Sequence, residues 1–411
     1  MTEQPTDDDA KDEAIRTLQF ELDRDHAFAA RIQALLAGEE DPEFVDLDEP
    51  PVKRSSWSWI LGGAAVLLII GIAAAAVLAY PKASKSGTPT VAPSPSPSPF
   101  GPTWKVAADV DVKANDIKFD RQYGDLFATA NTDGTITLFK VGRKSRLARF
   151  DSTMGAMTSS AQDLRSLDFS TDGKRLVAGG MRGSVEIWNL DTGKLVRKPF
   201  GAGRMGVING VSFSPDRKSV ATASADGTVR LWDASNGQQI GDPITTAPEG
   251  STYKVAATGV VFSPNGKMLA TLSDDGSVAF FDVESHERIR QADSPSTTVG
   301  TVGDELVYRP DGRVVATVSA SGLHMWDART GKTLKAPKTD SIGAFAFRPD
   351  GKMLASASIA GPVRLYDPQT LQPVGNPPPG DFRFVDSMAF SPTGKYLAAA
   401  ETDGKVRVWS T

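Results

Sequence analysis

At 411 residues the chain has room for two or three ordinary domains, or for one large all-β domain with appendages. It contains no Cys, which excludes disulfides, thiolate nucleophiles and thiolate metal sites together. Its net charge of −5 is unevenly spread: residues 1–56 hold sixteen acids and six bases, so the remainder carries +5, too small and scattered an excess for a nucleic-acid-binding protein.

Residues 11–37 place Ile15, Leu18, Leu22, Ala29, Ile32 and Leu36 on one face of a predicted amphipathic helix. Asp7 to Asp9 precede it as potential caps, and Gly38 is its stop. Asp25 breaks the apolar stripe at its centre, which argues against a stable coiled coil. Two readings stay open, a helix that packs on a cytoplasmic partner or pairs weakly with its own copy, and a marginal helix in a largely disordered tail. The stretch that follows, EEDPEFVDLDEPP, is acidic and poor in apolar residues, the composition of disorder.

From Trp57 to Tyr80 no residue is charged. As a helix this segment would rise roughly 36 Å, enough to cross a hydrocarbon core of about 30 Å. Trp57, Trp59 and Tyr80 stand at its two ends, where amphipathic rings meet the membrane interface. The long acidic segment ahead of it is unlike the short front of a cleavable signal peptide, so the expectation is an uncleaved single-pass anchor. Lys53 and Arg54 before the span and Lys82 and Lys85 after it nearly tie in flanking charge, and the Ser/Pro spacer that follows tips the expectation to a cytoplasmic N-terminus and an extracytoplasmic C-terminal part. Residues 81–101 form a Ser/Pro-rich linker of the kind that stays extended. In composition it resembles the extracytoplasmic spacers of actinobacterial membrane proteins.

Residues 102–411 contain seven segments that align with one another. Their leading aromatics are Phe119, Phe169, Phe213, Phe262, Tyr308, Phe347 and Phe390, at intervals of 50, 44, 49, 46, 39 and 43 residues. Each has a second aromatic 18 to 20 residues further on: Phe139, Trp188, Trp232, Phe281, Trp326, Tyr366 and Trp409. A rigid unit joined by elastic connectors behaves this way. Within a unit the pattern is an apolar strand, a turn such as PDGK, a second strand, a turn such as DG, and a third strand. Gly supplies positive φ in such turns, and Asp or Asn supports them by local hydrogen bonds. The strands are nearly continuous in apolar residues, which predicts that both faces of each sheet are buried against neighbours. Segments such as LVRKP, QQIGDP and TLKAP then offer a fourth strand.

These units resemble WD repeats, with Trp232–Asp233 and Trp326–Asp327 as literal examples. The resemblance implies an all-β, seven-bladed β-propeller. It departs from the family in lacking the Gly-His pair before the first strand, so the His–Ser/Thr–Asp–Trp hydrogen-bond tetrad of WD repeats cannot form. Asp precedes the second-turn Gly in four units (Asp133, Asp226, Asp275, Asp403) and not in three, and the fifth unit has a shorter turn near Ser321–Gly322. The last unit ends after three strands. In the family such a gap is filled from the chain's beginning, and here Thr103 to Ala108 are available.

Candidate chemistry is sparse. Gly201 to Gly206 match G-x-G-x-x-G but precede a strand rather than a phosphate-binding helix. His286 falls in a hairpin turn and His324 on an outer strand, without a metal pair or triad partner. Asp109–Val110–Asp111 is too sparse for a calcium loop, and Asp274–Asp275 reads as turn chemistry. No catalytic residue, metal or cofactor is indicated. The connectors 151–165, 200–209, 241–258, 292–304 and 376–384 share one face and present Met154, Met157, Arg204, Met205, Tyr253, Lys254, Phe382, Arg383 and Phe384. These residue types are enriched at interface cores. The resemblance and this surface together imply a non-enzymatic scaffold that binds a protein partner on that face. Coupling of an outer ligand to the acidic tail would make it a sensor. The rival is a lactonase-like propeller hydrolase, which needs acids or histidines converging on a central channel, and the repeats show no such set.

Overall fold

The computed structural model describes residues 104–143, 145–152, 163–201, 206–247, 254–292, 305–319, 322–337, 342–358, 362–380 and 384–410. The acidic tail, the 57–80 span with Trp57, Trp59 and Tyr80, and the 81–101 linker lie outside the described residues. Among the described residues there is no helix long and apolar enough to cross a membrane.

The described chain is all β. It opens with β1 (Lys105–Asp111), which belongs to the last blade. Blade one holds β2 (Ala114–Phe119), β3 (Leu126–Asn131), β4 (Thr135–Lys140) and β5 (Ala148–Asp151). Blade two holds β6 (Leu164–Phe169), β7 (Arg175–Gly180), β8 (Val185–Asn189) and β9 (Lys194–Leu195). Blade three is β10 (Ile208–Phe213), β11 (Ser219–Ser224), β12 (Thr228–Asp233) and β13 (Gln239–Thr245). Blade four is β14 (Ala257–Phe262), β15 (Met268–Ser273), β16 (Val278–Asp282) and β17 (Arg288–Gln291). Blade five is β18 (Leu306–Tyr308), β19 (Val314–Ser319), β20 (Gly322–Asp327) and β21 (Thr333–Leu334). Blade six keeps only β22 (Ile342–Phe347), β23 (Leu354–Ser358) and β24 (Val363–Tyr366). Blade seven is β25 (Val385–Phe390), β26 (Tyr396–Glu401) and β27 (Lys405–Ser410), completed by β1.

Every pairing within a blade is antiparallel, so turns alternate between the two faces of the disc. Turns from first to second and from third to fourth strands share one face. Turns from second to third strands, and the blade connectors, share the other. β1 closes the ring by pairing with β27, Lys105 opposite Ser410 and Asp111 opposite Lys405. This strand runs three residues beyond the predicted 103–108. Blade six departs from expectation: its would-be fourth strand, rich in Pro, makes one bridge between Tyr366 and Pro373 and cannot extend a ladder.

The core is divided rather than central. Seven apolar clusters are described, each between two neighbouring blades. Phe119, Phe127 and Phe139 of blade one, for instance, pack with Val406 and Val408 of blade seven. Second and third strands are therefore apolar on both sides, with Phe127, Phe280, Trp326 and Trp409 fully buried. Burying one such side chain contributes about 1.5–3 kcal/mol.

The tetrad is replaced piecemeal. In blade three the Trp232 indole N–H donates to Thr222 Oγ1 at 3.0 Å, while Asp226 pairs with Arg230 at 2.9 Å. In blade seven Trp409 donates to the Pro379 carbonyl at 3.1 Å, and Glu401 pairs with Arg407 at 2.8 Å. In blade one, Asn131 donates to Thr135 and Thr137, both at 2.9 Å.

Candidate functional site

The first strands of the blades stand around the axis of the disc and line a cavity of about 940 Å³. Each presents its free edge and one face to this channel. The expectation that every strand is apolar on both faces fails here, because an innermost strand has no blade on its inner side. Counting back from the leading aromatic, the first and third positions point inward. They hold Lys118 and Asp116 in blade one, Asp168 and Ser166 in blade two, Ser212 in blade three, Glu305 in blade five and Ser387 in blade seven.

These side chains tie neighbouring first strands together at five of the seven seams, blade one to two, two to three, three to four, five to six and seven to one. Asp116 accepts from the Leu167 N–H at 3.0 Å, and Asp168 from the Phe213 N–H at 2.8 Å. Ser166 accepts from Val211 at 3.2 Å, Ser212 from Phe262 at 3.4 Å, and Glu305 from Phe345 at 3.2 Å. Ser387 joins blade seven to blade one by accepting from Ile117 at 3.4 Å and donating to Asp116 at 3.0 Å. The logic is that a strand edge turned to the channel leaves N–H groups that need acceptors.

Acids thus do converge on the channel, contrary to the sequence expectation, but basic groups hold most of them. Lys118 Nζ lies 3.0 Å from Asp116 and 3.9 Å from Glu305, and Arg121 lies 3.1 Å from Asp168. Burial opposes the Lys118 charge, yet the carboxylates of Asp116 and Glu305 outweigh it and raise its ammonium above the ordinary lysine value. Burial lifts Glu305 to about 7, against the pull of Lys118. Asp386 also rises, to about 6, because burial outweighs the nearby Lys113.

At the mouth on the connector face, six first strands carry a β-bulge at the same place. The bulged residues are Asn115, Arg165, Asn209, Thr258, Gly343 and Asp386. A bulge re-aims its side chain, in blades one to three toward the next blade. Asn115 donates to Asp163 and, at 2.7 Å, to the Leu164 carbonyl. Arg165 donates to Asn209 at 2.9 Å, and Asn209 to the Ala257 carbonyl at 3.0 Å. Gly343 is required, since a Cβ there would come within 2.4 Å of the Val385 carbonyl.

Of the predicted interface residues, Phe384 and Lys254 are described, and Met154, Met157, Arg204, Met205, Tyr253, Phe382 and Arg383 lie outside the described residues. Phe384 lines the channel mouth, is 52% exposed, and has a φ of 49°. Its carbonyl accepts from both the N–H (2.9 Å) and hydroxyl (3.2 Å) of Thr402, which hold that backbone in place. Lys254 is exposed on the same face but does not line the channel. The structure therefore does not join the two into one pocket.

His286 occupies its turn with a φ of 61° and packs against Gly241 of blade three. His324 lies on the third strand of blade five rather than an outer one, and burial lowers its basicity. Asp275 accepts the Ser277 N–H at 2.9 Å, as its turn requires. Gly201 is described, whereas 202–205 are not. Among the described residues no three acids or histidines are grouped to hold a metal ion. An inner-strand signal was present in the sequence: polar residues alternate inward before the leading aromatic in five repeats.

The geometry agrees with comparisons to known families. A WD domain, G-beta repeat, model matches residues 378–410. No curated protein matches the chain. Propellers of these kinds are typically non-enzymatic scaffolds that bind protein partners. A second model, described as the β-propeller of the nucleolar protein 10-like N-terminal domain, matches residues 146–366, more than half of the 411, and the chain belongs to that family of WD-repeat propellers.

Proposed function

We propose that this protein is a membrane-anchored scaffold whose propeller binds a protein partner on the connector face, around the channel mouth. The observation that carries this reading is Phe384. A large aromatic, half exposed in a left-handed backbone that costs about 1–2 kcal/mol, is held there by Thr402 rather than relaxed into the core. Aromatics presented this way are the usual anchors of protein interfaces. The charge-free span 57–80 supports anchoring in the membrane, with residues 1–56 on the cytoplasmic side and the propeller outside. A partner for residues 11–37 would extend the scaffold into a sensor.

The hydrolase alternative is not favoured. Asp116, Asp168 and Glu305 accept backbone N–H groups and face Lys118 or Arg121, so they are engaged in holding the ring together. The test is crosslinking and capture from intact membranes with the native chain and the Phe384→Gly variant. A protein recovered with the native chain and lost with the variant supports the reading. Equal recovery with both would exclude Phe384 as the anchor.

A further inference from the structure

The turns joining first to second strands gather at the other end of the propeller, and several touch their neighbours. Thr171 donates to the Pro215 carbonyl at 3.0 Å, Gly266 faces Pro215, Gly312 faces Pro264, and Gly394 faces Arg348. Six of these turns place an exposed base at the same position: Lys174, Lys218, Lys267, Arg313, Lys352 and Lys395. Their acids are built into the turns. Asp172, Asp216, Asp311 and Asp350 accept the backbone N–H of that basic residue at 3.2, 3.0, 2.9 and 2.9 Å. Over residues 170–174, 214–218, 263–267, 309–313, 348–352 and 391–395 there are nine Lys and Arg against four Asp. The second-to-third turns on the opposite face reverse this, with Asp133, Asp226, Asp274, Asp275 and Asp403 against Arg182. The first-to-second turns of blades two to seven are therefore basic and the second-to-third turns on the opposite face acidic, while the blade-one turn (Asp120, Arg121, Asp125) and the third-to-fourth turns (Asp191, Glu284 and Glu287 beside Arg143, Arg146 and Arg329) carry both signs.

The chain enters the propeller on the basic face. Lys105 pairs with Ser410, at the end of β27 next to the basic turns, and Asp111 pairs with Lys405 at the acidic face. The described chain therefore begins, at Trp104, on the basic-turn side, and the uncharged span 57–80 precedes it in sequence.

We propose that the basic turn face rests on an anionic lipid surface, with the six repeated bases among the headgroup phosphates. This rests on the reading of residues 57–80 as the anchor. Each base held within a Debye length of such a surface favours the docked state about fivefold, and salt screens the effect. Docked in this way, the propeller turns its connector face and Phe384 away from the bilayer, open to a partner.

The experiment uses the full chain in lipid nanodiscs, of phosphatidylcholine alone or with phosphatidylglycerol. It reads amine acylation of each lysine by mass spectrometry. Acylation of Lys174, Lys218, Lys267, Lys352 and Lys395 should slow at least fivefold in the anionic discs, and recover in high salt. Lys254, on the opposite face, should react equally in both. In a Lys218→Gln, Arg313→Gln, Lys352→Gln variant the remaining turn lysines should lose most of this protection. Equal acylation in the two discs overturns the proposal. So does protection of the same lysines by an oligonucleotide but not by phosphatidylglycerol, which would mark a face for soluble polyanions. A chain that stays outside the discs refutes the anchor reading instead. Sedimentation of that same chain with phosphatidylglycerol vesicles then decides: salt-sensitive binding upholds the proposal and its absence ends it.

Discussion

Lys118 of blade one reaches Glu305 of blade five, 3.9 Å away across the axis of the propeller, while holding Asp116 of its own strand at 3.0 Å. Blades one and five are not neighbours in the ring, so this contact spans the channel rather than the seam between two sheets. The Lys118 side chain keeps 32% of its exposure and that of Glu305 11%, so the cluster is desolvated unevenly. Removing the cation leaves two carboxylates facing each other without compensation. Lys118→Met should destabilise the propeller by about 1–3 kcal/mol, below the 3–5 typical of fully buried pairs, because channel solvent screens the acids. Adding Glu305→Gln should restore part of that loss. Thermal unfolding of the single and double variants measures it, and equal melting of the single variant and the native chain would refute the coupling.

Glu305 also predicts a pH dependence. Its folded value of about 7 lies above the ordinary 4.5, so between these values the native state binds more protons than the unfolded one. Stability contributed by this group is therefore present below about pH 4.5 and is lost as pH rises through about 7. Asp386 adds a change of the same sign between 3.8 and about 6. Melting curves from pH 4.5 to 8 should fall less steeply for Glu305→Gln than for the native chain. Parallel curves would show that Glu305 is not the titrating group.

Asp168 separates an edge cap from an ion pair. Its Oδ2 accepts the buried Phe213 N–H, and its Oδ1 meets Arg121, whose side chain is 43% exposed. Asp168→Ala strands that N–H and should cost about 1–3 kcal/mol. Asp168→Asn keeps an acceptor there and loses only a partly exposed ion pair, so its cost should stay within about 1 kcal/mol. Urea denaturation of both variants tests the order.

The latch strand is predicted to be indispensable. Without residues 102–111, β27 becomes an open edge, and Trp104 and Val110 no longer cover the blade-seven core. Losing the burial of those two side chains alone costs about 3–6 kcal/mol. The truncated chain should melt well below the native one and associate through the exposed strand, visible by size-exclusion chromatography. An unchanged melting temperature would show that the ring closes without β1.

Phe384→Gly should act in opposite directions on binding and stability. Gly adopts a φ of 49° freely, so folding stability should hold or rise by about 1 kcal/mol. Partner capture should nevertheless be lost with the ring. A variant that both melts lower and binds normally would show the aromatic to be structural.

Much of this architecture is legible in the chain itself. The spacing of Phe119 to Phe390, the 18-to-20-residue units and the Asp-Gly turns dictate seven antiparallel blades, because they are local features repeated in register. The last repeat is completed by β1, which pairs with β27 and begins in the segment 103–108 that the sequence offered for it. The charged channel was not legible in the same way. Asp116, Asp168 and Glu305 lie far apart in sequence, and their inward direction depends on which strand has no neighbour on one side. Only ring closure creates that inner wall, and the bulges at Asn115, Arg165 and Asn209 aim their own side chains from one blade at the next. The same holds for the oppositely charged turn sets: the bases after six of the seven first turns are plain in the sequence, but antiparallel pairing is what gathers them on one side of the disc.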